Sequence, residues 1–316
     1  MISGFTELFG RKFIIGFFSP AVMFALVSLT LTSIFGQTNL DLIASISSPT
    51  SIWAASIGLF GIWIIGVILM TLNRILIRLL EGYGLLEKTP LLKWQRFRFK
   101  RLQKQISDIK KKRNTEKEKL GEVSPDTKKR YIKLLTIRRY NFPSNPGHIL
   151  ATSFGNVIRA FEVYSYEVYG LDSIPVWTRI IAVVPNAYRD ILNDVKSRVN
   201  FAVNTFYLSI VFSLEYICYS VATKSYPCIW MPFAGLIVTW TAYRFSISSA
   251  KEWGEYVKSI FDLYRYDLLK QMGLSKPKTW EEERRAWEEI CRSFLYWDKI
   301  TLPRELNTDI DKHKSC

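Results

Sequence analysis

Four apolar runs, arranged as two pairs, constrain this chain more than any other feature of its sequence. Residues 13–35 and 52–72 form the first pair, and residues 201–222 and 228–245 the second. Each run is close to the ~20 residues that a helix needs to cross a ~30 Å hydrocarbon core. Buried helices of a soluble protein are the competing reading, but core helices are usually shorter and interrupted by charge. The expected fold is all-α and integral to the membrane: two transmembrane helical hairpins, four spans in all, with a helical cytoplasmic domain.

Charge sets the expected orientation. Arg11 and Lys12 precede the first run, and Arg74 and Arg78 follow the second. Lys196 and Arg198 precede the third, and Arg244 and Lys251 follow the fourth. The connector 36–51 has no Lys or Arg, and the connector 223–227 has only Lys224. The positive-inside rule then places both termini and the long middle segment in the cytoplasm. The first run is too long for a signal-peptide core and lacks a small-residue cleavage site near Phe35, so it reads as a retained anchor. Ser19 and Pro20 make a favourable cap and first position. The crossing helix is expected to start there, with residues 5–18 along the interface; the alternative is one longer helix kinked at Pro20.

The net charge of +15 is concentrated in one place. Residues 73–140 hold 21 Lys or Arg against 7 Asp or Glu, a net of +14. Within them, residues 93–139 read as a helical hairpin turning at 121–125, its second helix opening on Ser124 and Pro125. Its basic residues include Arg96, Arg98, Lys100, Arg101, Lys104, Lys110, Lys111, Lys112 and Arg113, interleaved near the membrane with Trp94, Phe97 and Phe99. Three readings compete: a solvated helix pair, attraction to anionic lipid headgroups at ~1 kcal/mol per nearby Lys or Arg, and binding of nucleic acid or a nucleotide. No RRM, KH or zinc-finger pattern supports the third.

Cysteine and histidine usage argues against much enzyme chemistry. The four cysteines have no CxxC spacing, and His148 and His313 are far apart, so neither a closed zinc site nor any other metal site is expected. Cys218 and Cys228 flank the second connector at unequal depths, which leaves a disulfide there unfavoured. Walker A, GxSxG, HExxH and GxGxxG patterns do not occur. No cofactor and no enzymatic activity are expected.

The remaining segments read as helices too. After Pro143 and Pro146, residues 147–169 carry an apolar helical stripe closed by Gly170. Asp172 and Ser173 start a short helix ending before Pro185. From Asn186 one long helix is expected to run into the third span, to about Ala222. Residues 251–272 form another, closed by Gly273, and Thr279 with Glu282 makes a capping box for a last one. The expected divisions are 1–72, 73–142, 143–200, 201–245 and 246–316. The stretches GNVIRAFEVYSYEVYGLDSIPVWTRIIAVVP (155–185) and EYVKSIFDLYRYDLLKQMGL (255–274) resemble segments of uncharacterised multi-pass membrane proteins of bacteria. That resemblance covers the second half of the chain; it implies a bacterial inner membrane and carries over no functional residue.

The sharpest site candidate lies inside the membrane. Asn204 and Glu215 are eleven residues apart on the third run, about three turns and only ~20° from one face, with Leu208 and Val211 between them. Ionisable groups at depth are costly and face a bundle interior or a water-filled cavity. Ser209, Ser213 and Ser220 form a second stripe suited to helix packing, as do Ala54, Gly58, Gly61 and Gly66 on the second run. A helix with two non-lipid faces is surrounded by protein, which four spans per chain supply most simply by self-association. Two function classes follow. One is an oligomeric conduit with Asn204 and Glu215 along an ion path and the basic domain as a regulator. The other is a non-conducting membrane-anchored scaffold or sensor whose basic domain binds anionic lipid, nucleic acid or a protein.

Overall fold

The structure, a computed structural model, describes residues 10–35, 49–223 and 230–303. All regular structure among the described residues is helical. Arg11–Phe13, a π-helical turn Ile14–Phe18 and Ser19–Phe35 follow one another without a break as α1. Next come α2 (Pro49–Glu81), α3 (Pro90–Leu120), α4 (Pro125–Asn141), α5 (Ser153–Glu162) and α6 (Tyr164–Tyr169). The chain continues through α7 (Ser173–Val183), α8 (Asn186–Thr223), α9 (Trp230–Gln271) and α10 (Trp280–Tyr296). The connector 36–48, the connector 224–229 with Cys228, and residues 1–9 and 304–316 lie outside the described residues.

Three stretches among the described residues are long and apolar enough to cross a membrane: Arg11–Ser28, Ala55–Lys88 and Asn186–Ala222. They carry their apolar side chains outward as well as inward. Phe60 is 61% exposed on α2, and Leu214 is 56% exposed on α8. Water would not tolerate a patch of that extent, whereas hydrocarbon favours it. Among the described residues the start of α9, which includes Pro232, Trp240, Tyr243 and Arg244, is not one of these stretches.

The chain divides into two compact units. The first draws on segments within Met1–Leu92, Leu150–Gly155 and Asn193–Glu252. There α8 and α9 run antiparallel, since Ser213 Oγ donates to the Pro232 carbonyl (3.3 Å) and Ser209 Oγ meets Thr239 Oγ1 (2.9 Å). The serine stripe is what brings them close: a Cβ on Gly235 would overlap Ser213 Oγ and stand 3.3 Å from the Ser209 carbonyl. By contrast α1 and α8 run parallel, Gly16 meeting Asn204 and Ser28 meeting Tyr216 further along both helices. Gly66 of α2 seats the Phe13 ring, 3.1 Å from where its Cβ would be, while Gly58 and Gly61 touch nothing within 4 Å. Two exposed ion pairs, Arg11–Asp194 (3.1 Å) and Arg198–Glu252 (3.0 Å), stand at one end of these helices. Such pairs contribute little to stability and mark instead where the apolar layer stops.

A polar knot closes α2. Gly82, at φ +96, lets its N–H reach the Leu79 carbonyl and the next N–H, of Tyr83, reach that of Arg78, a Schellman end. Thr152 Oγ1 donates to the Leu80 and Glu81 carbonyls (2.7 and 3.0 Å) and accepts from the Gly155 N–H (2.9 Å), so one hydroxyl ends α2 and caps α5.

The second unit draws on segments within Lys93–Ile149, Asn156–Leu192 and Trp253–Cys316. Its basic hairpin forms where the sequence places it, turning at Gly121 with φ +74. Thr127 and the Ser124 N–H both donate to Glu116 (2.9 and 3.1 Å), and Arg113 stacks on Tyr131 at 4.6 Å. Ser124 therefore precedes Pro125 as expected, but its hydroxyl caps nothing. In the rest of the unit α10 packs against α6 and α7, with Trp287 and Ile290 fully buried. Gly170, at φ +74, ends α6, and the Thr279–Glu282 capping box opens α10 as the sequence predicts. The expected helix over 147–169 is instead a short 3-10 turn followed by α5 and α6, because Thr152 starts the helix anew.

Candidate functional site

Pro20 organises a polar cluster among α1, α2 and α8. It has no N–H to give the Gly16 carbonyl four residues earlier, and the chain responds with the π-helical turn over Ile14–Phe18 rather than a new helix start at Ser19. Asn204 supplies the missing donor: its Nδ2 lies 2.7 Å from the Gly16 oxygen, and the residue is fully buried. Asn200 packs on Gly16, where a Cβ would stand 3.2 Å from the Asn200 Cβ, and accepts a hydrogen bond from Asn73 of α2 (3.3 Å). Tyr207 donates to the Leu76 carbonyl at 2.9 Å. Three helices are thus joined by uncharged hydrogen bonds in an apolar layer. Asn73 Oδ1 and Asn204 Oδ1 are buried and have no protein donor among the described residues. Both are acceptors suited to a water molecule.

Glu215 sits in different surroundings. It is exposed on α8, and Ser28 Oγ approaches its Oε2 at 3.4 Å. The adjacent Tyr216 is buried and donates to the Ser28 carbonyl (3.2 Å). Between the two positions Leu208 packs on the Phe13–Phe17 cluster, whereas Val211 is 51% exposed. The stripe that joins Asn204 to Glu215 along one helix face runs from a three-helix contact to an open surface.

The nine basic residues of α3 divide by what they touch. Arg98 lies over Trp94 (4.8 Å) and over Phe142 just past α4 (5.9 Å), and Arg113 over Tyr131 of α4; both arginines are half-buried. Lys112 reaches Glu116 at 3.8 Å. Arg96, Lys100, Arg101, Lys104, Lys110 and Lys111 are exposed. Gln95, Phe99, Leu102 and Ile109 are buried on the opposite side, so the outward face carries Lys93, Phe97, Lys100, Lys104 and Lys111 at helical spacing. Trp94 (54% exposed) and Phe97 (60% exposed) stand among these charges rather than in a core.

Comparison with protein-family models, with curated proteins and with solved structures finds no match to this chain. No group of three or more His, Cys, Asp or Glu side chains able to hold a metal ion occurs among the described residues.

Sequence reasoning missed a polar network in the second unit. Asp262 accepts from Tyr164 (3.0 Å) and Tyr169 (2.7 Å); burial first, and then this carboxylate, raises both phenols above their ordinary range. Arg265 Nε donates to Glu283 at 2.7 Å, with the carboxylate's second oxygen taking Tyr266 at 2.9 Å. Cys291 is buried against the Asp172 N–H, and burial pushes its thiol up to about 11, so it is a protonated core residue near neutral pH. Nothing local in the sequence marks these groups, because their partners lie as far as 119 residues away along the chain.

Proposed function

We propose that this protein is a non-conducting membrane anchor whose basic α3–α4 hairpin holds against anionic lipid headgroups. The carrying observation is the exposed surface of α3, where Trp94 and Phe97, both more than half exposed, stand among exposed lysines and arginines. Trp in such a setting sits at headgroup level. Each basic residue close to an anionic surface adds ~1 kcal/mol, a force that reaches only ~8 Å at physiological ionic strength. The sequence distance from the end of α2 to Trp94 is short, which favours a membrane surface over a distant nucleic acid. In this reading the start of α9 is a fourth span, paired with α8 as α2 is with α1. Both termini then lie in the cytoplasm of a bacterial inner membrane, and the exposed apolar faces meet lipid or a second copy of the chain.

The test uses the whole protein. A headgroup-sensitive fluorophore on Lys100→Cys, in nanodiscs of phosphatidylglycerol, should report contact that weakens as salt rises; neutral phosphatidylcholine discs should show less. Equal signals in both lipids, unaffected by salt, would remove the proposal.

A second reading, an oligomeric conduit, rests on Glu215, an exposed carboxylate on a helix long and apolar enough to span. Rings of acidic side chains favour cations. Glu215→Gln keeps the volume and removes the charge, so in reconstituted vesicles it should lower cation preference with the assembly intact. Vesicles that carry the protein and pass no ions would leave the anchor alone.

A further inference from the structure

A cleft of about 470 Å³ opens in the second unit between α4, α5, α6 and the Lys258 stretch of α9, away from the α3 face just described. Its size falls within the ~300–1,000 Å³ range of small-molecule sites. Three cations line it, Arg138, Arg139 and Lys258, against one carboxylate, Glu167. The side chain of Lys258 is only 7% exposed, and its ion-pair partner, Glu255 at 2.6 Å, is itself 41% exposed. The ammonium also lies near the Tyr140 and Tyr164 rings, at 5.2 and 5.6 Å. An ammonium that deep is costly unless it has more than one solvent-facing carboxylate to answer it. Arg138 gives one nitrogen to the Ser144 carbonyl (3.4 Å), while its Nε is buried with no protein acceptor among the described residues. Burial raises the Glu167 carboxyl against the opposing pull of Arg138.

We propose that this cleft binds a phosphate-bearing organic anion. The phosphate would take the unanswered hydrogen-bonding capacity of Arg138 together with Arg139 and Lys258. Arginine suits this because its planar fork matches phosphate oxygens, and a buried lysine adds a point charge. The organic part would lie on Leu135, Phe142 and Ala160, the apolar wall of the same cleft. Inorganic anions would use only half of that surface. A free organic phosphate and a phospholipid headgroup share this chemistry.

The experiment titrates the full-length protein, in nanodiscs of neutral phosphatidylcholine at ~0.15 M salt, with ADP and with inorganic pyrophosphate as probes. Saturable binding of ADP is expected, tighter than that of pyrophosphate. Arg139→Ala, at an exposed position, and Lys258→Met should each weaken it by about tenfold or more, the scale of one lost charge-assisted contact. Lys104→Ala, on the outward face of α3, should leave it within about twofold. Competition by phosphatidylglycerol added to the disc would identify a headgroup as the natural source, and its absence a soluble phosphate. No saturable binding below ~1 mM, or equal weakening by Lys104→Ala, would overturn the site. Neither result bears on lipid contact by α3, which the label at position 100 reads separately.

Discussion

Replacing Gly155 by alanine is expected to cost more stability than almost any other single methyl added to this protein. A Cβ there would overlap the Glu81 carbonyl oxygen and stand 2.7 Å from its carbon and 2.9 Å from its Cα. All three are backbone atoms, so no rotamer change relieves the contact; α2 and α5 must move apart. Moving them breaks the Thr152 hydroxyl away from the carbonyls it ties at 2.7 and 3.0 Å. Overpacking alone typically costs ~1–3 kcal/mol, and losing the shared hydrogen bond of the one Thr152 hydroxyl proton adds ~1 kcal/mol. A loss of about 2–4 kcal/mol places Gly155→Ala among the severe single changes. Gly58→Ala is the matched control, since nothing lies within 4 Å of its position, and should stay within about 0.5 kcal/mol. Thermal unfolding of the detergent-solubilised protein compares them; equal midpoints would show that α2 and α5 do not meet as described.

The second large effect is expected at Glu283. Its carboxylate is 3% exposed and is held by Arg265 (2.7 Å) and Tyr266 (2.9 Å); Arg265 itself is 11% exposed and stacks on Tyr169 at 4.2 Å. Arg265 also donates to the Asp262 carbonyl. Glu283→Ala leaves a guanidinium buried without its counter-charge, at a cost of about 3–5 kcal/mol. Removing both charges, as Arg265→Met with Glu283→Leu, should recover most of that loss, because the pair's attraction roughly balances the desolvation of its two ions. Tyr266→Phe removes one hydrogen bond and should cost only ~1 kcal/mol. A Glu283→Ala protein as stable as the double variant would mean that the guanidinium reaches water once its partner is gone.

These two positions differ in how far the sequence revealed them. Glu283 stands in the first turn of α10, and the capping box before it is a local signal, so the helix is legible from Thr279 and Glu282 alone. That its carboxylate is buried on an arginine eighteen residues earlier is not local. Gly155 is less legible still, since a glycine near a helix start has many ordinary explanations, and its reason is a carbonyl at Glu81. The serine stripe of α8 is the opposite case. Small residues at helical spacing imply a close neighbour, and Gly235 of α9 provides it.

The sequence by itself determined that the chain is helical, where α3, α4, α8 and α10 lie, and that it holds apolar stretches long enough to span; it counted four of them, where three among the described residues have the length and apolarity. Those properties depend on periodicity, caps and composition, all local. It did not determine that Pro20 would be absorbed by a π turn instead of starting a helix, because that outcome depends on Asn204 being present to satisfy the Gly16 carbonyl. Nor did it separate Asn204 from Glu215, two positions ~20° apart on one ideal helix. Only the packing of α1 and α2 against α8 buries the first and leaves the second exposed. In apolar helices every face has similar composition, so the pattern that tells core from solvent in a water-soluble helix is missing, and the neighbours decide.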